Sequence, residues 1–187
     1  MRQKLAAVLM LLSLLLSSCG AGETVLRDAL TFRERLLEAD GCAFLATVSA
    51  EVQERGYIFS LQTRCMEETA SATVLAPDSI AGISATITAL DASVCFDGVA
   101  VEFGTMDDVM TSPLYLPWLL NVCWRSGYID CAGMDGDRYR VTYLWGTGEE
   151  ELILETWFLD ELPVRAEVYR KDHLLLSADL EGFTFGA

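Results

Sequence analysis

One histidine, four prolines and 13 lysines plus arginines are all that the 187-residue chain carries of these types. Each shortage excludes something. With His173 as the sole imidazole, a histidine-rich metal site has no ligands. A nucleophile with a histidine base has one candidate, and it lies in Lys171-Asp172-His173, a stretch that reads as a hairpin turn and so as solvated. The few basic residues face 28 acidic ones, and a formal charge of −15 leaves no basic face for nucleic-acid phosphates. There is no Gly-x-Ser-x-Gly elbow, no phosphate-binding P-loop and no His-Glu-x-x-His. The cysteines show no Cys-x-x-Cys pair, and Asp135-Gly136-Asp137 lacks the ligand spacing of a calcium loop. Acidic clusters at Asp107-Asp108, Glu149-Glu150-Glu151 and Asp160-Glu161 fall in predicted turns and read as solvated edges rather than carboxylate pairs. The expectation is a non-enzyme with no cofactor and no metal.

What is abundant is apolar: 52% of residues are hydrophobic, too many for a disordered acidic tail. Much of this sits in residues 1–18, where Arg2 and Lys4 precede a run from Leu5 to Leu16 broken only by Ser13. Such a run is short for a helix of about twenty residues across a bilayer and has the build of a secretory signal. It ends in Leu16-Ser17-Ser18-Cys19, which matches the bacterial lipobox, in which the cysteine receives diacylglycerol and the peptide before it is removed. Losing Arg2 and Lys4 makes the mature body more acidic still, so an anionic membrane surface attracts none of it. Attachment then rests on acyl chains at Cys19, where two or more chains hold and one is marginal. The sequence divides into a signal at 1–18, an acylated N-terminus with a short spacer at 19–23, and a single domain over 24–187. The expected address is extracytoplasmic, on the cell membrane or an outer membrane.

Five further cysteines, Cys42, Cys65, Cys95, Cys123 and Cys131, leave at least one thiol unpaired. Cys65, Cys95 and Cys123 lie in apolar or alternating segments and read as small buried hydrophobes, and a bridge between Cys123 and Cys131 across Gly127 stays open.

From Thr24 to Asp40, apolar Val25, Leu26, Ala29, Leu30, Phe32, Leu36 and Leu37 recur at three- and four-residue steps, predicting an amphipathic helix capped by Thr24 and ended by Gly41. Beyond Gly41 the period becomes two. Alternating segments run through Ala43–Gln53, Tyr57–Gln62 after a Glu54-Arg55-Gly56 turn, Glu68–Leu75, Ile83–Thr88 and Val94–Phe96, and then through the Asp97-Gly98 hairpin turn into Val99–Phe103. The alternation returns at Tyr139–Trp145, Leu152–Phe158, Val164–Val168, Leu174–Leu180 and Phe183–Phe185. About ten strands in succession make an antiparallel meander too wide to stay flat.

The interruption, Ser112-Pro113-Leu114-Tyr115-Leu116-Pro117-Trp118-Leu119-Leu120-Asn121-Val122-Cys123-Trp124, is apolar nearly all round. A helix here has no obvious wet face and must be covered by protein or by ligand. Ser112 and Pro113 suit a start, Pro117 a second start, and Arg125 with Gly127 an end. The fold class that follows is mainly β (α+β): a curled antiparallel sheet forming an unclosed β-barrel, with an N-terminal amphipathic helix and a helical lid. Phe59, Leu61, Tyr143 and Trp145 from the sheet, with Leu116, Leu119, Leu120 and Trp124 from the helix, are the candidate cavity and lid residues. A core filled by these side chains and an open ligand cavity both satisfy the pattern.

Three stretches in order, Val74-Leu75-Ala76-Pro77-Asp78-Ser79-Ile80-Ala81-Gly82-Ile83, Ser112-Pro113 with its apolar helix, and Glu161-Leu162-Pro163-Val164 through Phe183-Thr184-Phe185, resemble the corner, lid and closing segments of the LolA/LolB lipoprotein-sorting superfamily. With the first helix, the likeness covers most of residues 24–187. It implies a half-barrel whose apolar cavity takes acyl chains, of lipoproteins in transit as cargo or of other lipids. For the family's lid-locking arginine it offers two candidates, Arg64 and Arg140. Cys19 sets the chain apart from a soluble carrier. The competing expectation is an envelope or sporulation lipoprotein with a filled core that acts by interaction.

Overall fold

In a computed structural model the described residues are 20–52, 55–103 and 112–186. The signal segment, Cys19, the Glu54 turn position and Asp107-Asp108 lie outside them.

The first helix, α1, spans Gly20–Glu38, so the expected spacer forms its first turn and Thr24 is interior rather than a cap. Its buried stripe is Val25, Ala29, Phe32 and Leu36, steps of four, three and four residues. Leu26, Leu30 and Leu37, which the sequence periodicity put on the same face, stay exposed. The chain leaves the helix through Asp40 at φ 57°, so the left-handed residue is Asp40 and Gly41 opens the first strand.

Eleven antiparallel strands follow: β1 Gly41–Val52, β2 Arg55–Met66, β3 Thr69–Ala76, β4 Ser84–Ile87, β5 Ala92–Phe96, β6 Val99–Phe103, β7 Tyr128–Asp135, β8 Arg138–Trp145, β9 Leu152–Leu159, β10 Leu162–Arg170 and β11 His173–Phe185. They form one sheet in the order β6-β5-β4-β3-β2-β1-β11-β10-β9-β8-β7, with β6 and β7 as unjoined edges. The sheet is thus an open barrel, and among the described residues the one pairing between strands that are not consecutive joins β1 to β11. Tight turns explain the meander. Asp97-Gly98 turns with both residues at positive φ, as do Asp160-Glu161 and Lys171-Asp172. His173 begins β11, exposed, beside the last of these.

Between β6 and β7, residues Pro113–Tyr115 make one 3-10 turn, and α2 runs Leu116–Ser126 with Pro117 in its first turn, where no amide hydrogen is needed. Ser112 Oγ accepts from the Leu114 amide at 3.4 Å, the cap the sequence suggested. The helix touches β2 and β3 on one side of the sheet and β8 on the other, so the sheet wraps round it. Small residues make room on the inner face: Ala46, Ala50, Ala70, Ala72, Ala85, Ala166 and Ala178 are all buried there. Trp124 packs among aromatic rings in the core, with ring centroids 5.7 Å from Phe32, 5.8 Å from Phe44 and 5.9 Å from Phe183.

Burial pushes the phenols of Tyr115, Tyr139 and Tyr143 up, and the Cys123 thiol up to about 12. The fold keeps these protons while the unfolded chain releases them at ordinary values. The thiol's contribution to stability is therefore complete below its usual 9.0 and is lost as pH rises through 12, and the phenols' contributions fall in the same direction above their usual 10.0. Denaturant titrations across that window should show a falling midpoint, with a slope approaching about 1.4 kcal/mol per pH unit for each group released.

Candidate functional site

The apolar segment that the sequence marked as a lid lies inside the concavity, tied to the sheet and to α1 by hydrogen bonds. Trp118 Nε1 donates to the Glu68 carbonyl at 3.0 Å and Asn121 Nδ2 to the Glu67 carbonyl at 2.7 Å, which fixes the β2–β3 turn to α2. Trp124 Nε1 donates to Thr156 Oγ1 at 3.1 Å on β9. At the other end, Arg33 of α1 reaches the last carbonyls of α2. Its Nε donates to Trp124 O at 2.8 Å, and its Nη2 to Gly127 O at 2.7 Å and Cys123 O at 3.3 Å. A cation on these carbonyls also meets the negative end of the helix dipole. Arg125 Nη1 adds a bond to Leu36 O at 3.4 Å, back onto α1.

Arg33 thus ties α1 to the last turn of α2, and neither Arg64 nor Arg140, the two candidates that the family resemblance offered, takes part in these bonds. Both of those are exposed on the outer face of the sheet, and Arg140 pairs there with Glu155 at 3.4 Å. Gly127 is the other necessity. A Cβ on it would lie 2.7 Å from the Cys123 carbonyl oxygen and 2.8 Å from Cys123 Cα, so the chain can leave the helix tightly only without a side chain.

The eight expected cavity and lid residues separate into two groups. Leu61, Leu116, Leu119, Leu120, Trp124 and Tyr143 are each at most 1% exposed and belong to one continuous core. They fill the space beneath the sheet. Phe59 and Trp145 are half-buried at its margin: Phe59 stacks on Tyr57 at 6.4 Å, and Trp145 meets Trp118 edge-on at 5.8 Å.

Only Trp145 of the eight lines the larger open space, a groove of about 930 Å³ beside the middle and C-terminal half of α2. Its apolar walls are Trp118, Val122, Trp145 and Leu37, and its ends are the turns at 67–69 and 88–90. Leu90 stands at the mouth, 89% exposed. Asp40, Glu67 and Glu68 against Arg125 give the rim a net negative charge. A second cleft, of about 390 Å³, is lined by Ser49, Ala50, Gly56, Leu174, Leu175 and Ser177 on the β1–β2 and β11 side. Trp118 and Val122 form a step of four on α2, and their apolar character was visible in the sequence. Leu37 and the two turns come from distant parts of the chain, and nothing local marks them.

The chemistry available is apolar burial with a polar rim. Among the described residues no group of three or more His, Cys, Asp or Glu is placed to hold a metal ion. No helix among them is long and apolar enough to cross a membrane.

No family model matches the sequence, and no curated protein matches it. Among solved structures, the chain is similar to a LolA superfamily protein from Nitrosomonas europaea, with 11% identity, 89% of this chain and 94% of that chain covered, and a TM-score of 0.47. It is also similar to a DUF1329 family protein from Desulfovibrio piger, with 11% identity, 86% and 92% covered, and a TM-score of 0.48. A third is the lipoprotein LppX of Mycobacterium tuberculosis, with 12% identity, 85% and 96% covered, and a TM-score of 0.41. The likeness is one of fold.

Proposed function

We propose that the chain is a non-enzymatic lipoprotein, anchored through Cys19 on the extracytoplasmic side of a bacterial envelope, that holds an acyl chain in the groove beside α2. The acyl chain belongs to a lipid or to a lipoprotein in transit. One observation carries the reading: two tryptophans, a valine and a leucine line a groove of about 930 Å³ that the side chains of the described residues leave open. That volume lies within the range of ligand sites, roughly 300–1,000 Å³. A chain lying along Trp118 and Trp145 gains about 0.8 kcal/mol for each methylene removed from water. The lipobox supplies the anchor and the address.

A second reading, an interaction lipoprotein with a filled core, draws on the six expected cavity residues that pack solidly against one another. The two readings part at the groove. Full-length chain purified from membranes should carry extractable lipid and bind a fluorescent fatty-acyl probe. Mass spectrometry of its N-terminal peptide should show acylated Cys19. Val122→Asp places a carboxylate on the groove wall at a half-buried position. Denying the probe two or three methylenes' worth of burial should weaken it by about 2 kcal/mol, roughly thirty-fold, with the unfolding midpoint little changed. A wild-type chain with no lipid and no probe binding leaves the filled-core reading standing.

A further inference from the structure

Of the five cysteines among the described residues, all present as thiols, two are direct cross-strand partners. Cys42 on β1 pairs in register with Cys65 on β2, and both are completely buried. Residues directly opposite in an antiparallel pair point to the same face, with Cα atoms about 4.5–5.5 Å apart. That spacing falls within the range that a disulfide spans, roughly 4.4–6.8 Å between Cα atoms. The remaining thiols lack such a partner: Cys95 faces Ser84 across β4–β5, Cys123 is buried in α2, and Cys131 is exposed on edge strand β7. The Cys123–Cys131 bridge that the sequence left open is not formed, since one side chain lies in the core and the other on the outside.

We propose that Cys42 and Cys65 are joined by a disulfide in the mature protein, stapling β1 to β2 beneath the first turn of α2. The proposal rests on the extracytoplasmic address above, because disulfides persist in oxidising compartments. The oxidant is a protein or small-molecule disulfide. One cysteine thiolate attacks it, forming a mixed disulfide and releasing one thiol. The second thiolate then displaces the other half. Two cysteines are oxidised, one external disulfide is reduced to two thiols, and the two protons pass to those leaving groups.

The position also says when the bond forms. In the closed fold Cys65 contacts the Pro117 carbonyl at 3.6 Å, and neither sulfur is reachable from solvent. A hydrogen bond with Cys42, reinforced by burial, holds the Cys65 thiol well above its usual range, so little thiolate exists once the protein has folded. Oxidation therefore precedes the docking of α2 over the β1–β2 hairpin. The Cys65 contact with Pro117 is dispensable, because a carbonyl in a helical turn keeps its own partner four residues on. After closure the bond is shielded from reductants by the same helix.

The test uses full-length chain extracted from membranes, unfolded in guanidinium with an alkylating reagent and no reductant. Cleavage after glutamate then separates the two cysteines, since Cys42 lies between Glu38 and Glu51 and Cys65 between Glu54 and Glu67. The expected product is a joined pair of these fragments, two hydrogen atoms lighter than their sum, with Cys95, Cys123 and Cys131 alkylated. In parallel, the reduced, unfolded chain is refolded with oxidised glutathione. Linked fragments in both samples support the proposal. Linkage on refolding but not in chain from membranes supports the pairing and overturns the extracytoplasmic address. Two alkylated cysteines in both samples, or linkage of Cys42 or Cys65 to another cysteine, overturns the pairing.

Discussion

Leu120→Asp is expected to abolish cooperative folding. Leu120 is completely buried midway along α2, the helix that the sheet encloses from both sides. Removing its side chain as far as Cβ costs about 2–5 kcal/mol by itself. The carboxyl adds a second cost, since a carboxylate in that setting must either stay charged without water or take up a proton. At neutral pH each unit by which its pKa is raised costs about 1.4 kcal/mol. Together these rival the total stability of a domain, about 5–15 kcal/mol. The variant should lose near-ultraviolet circular dichroism and any sharp urea transition, whereas Leu120→Met, which keeps volume and polarity, should cost less than about 1.5 kcal/mol. A well-folded Leu120→Asp would mean that water already reaches the space beneath α2, and the interior would then be a cavity rather than a core. Val122→Asp, two residues along the same helix, should do the opposite: keep the fold and lose the acyl probe.

That contrast marks where the sequence was informative. Alternation identified ten of the eleven strands, most of which bury one face, as in Cys42, Phe44, Ala46, Val48 and Ala50 of β1; in β6 the pattern was there although Val99 and Val101 stay exposed. It missed β7. This edge strand carries a bulge between Ile129 and Cys131, so its half-buried apolar side chains, Ile129 and Ala132, stand three apart instead of two, with Gly133 half-buried beside them. Helical period predicted α1 but not which of its leucines face inwards, because Val25, Ala29, Phe32 and Leu36 and their neighbours Leu26, Leu30 and Leu37 make overlapping stripes. Packing against β1 and β7 decides between them. Arg33 was the least legible residue. On its own helix it reads as a polar interruption, and its role depends on carbonyls some ninety residues away. The groove was hidden for the same reason, since the end of α1, two hairpin turns and α2 meet only in three dimensions. The apolar segment, expected to need cover, has the protein's own sheet over one face and borders the groove with another.

Trp124→Ala measures how much the enclosed face contributes. The indole is completely buried among Phe32, Phe44 and Phe183, joining α1, β1 and β11 to α2. Truncating a buried Trp to Ala costs about 3–5 kcal/mol. Its ring nitrogen also leaves Thr156 Oγ1 without its donor in a fully buried position, which adds about 1–3 kcal/mol unless water enters. The sum is a large share of the stability of a domain this size, so the expected result is a urea midpoint reduced by half or more with the slope of the transition unchanged. Trp124→Phe separates the two parts: it keeps most of the packing and removes only the hydrogen bond, so it should recover the larger share. The hole left by alanine is walled by aromatic rings and has one polar group, and an engineered apolar cavity of this kind takes up small apolar molecules. Benzene at saturating concentration should therefore raise the alanine variant's midpoint while leaving the wild type unmoved, because ligand binding to the folded state alone adds stability by mass action. A wild type stabilised equally would place a ready-made apolar cavity in the native fold, and the acyl chain would then belong beneath α2 instead of beside it.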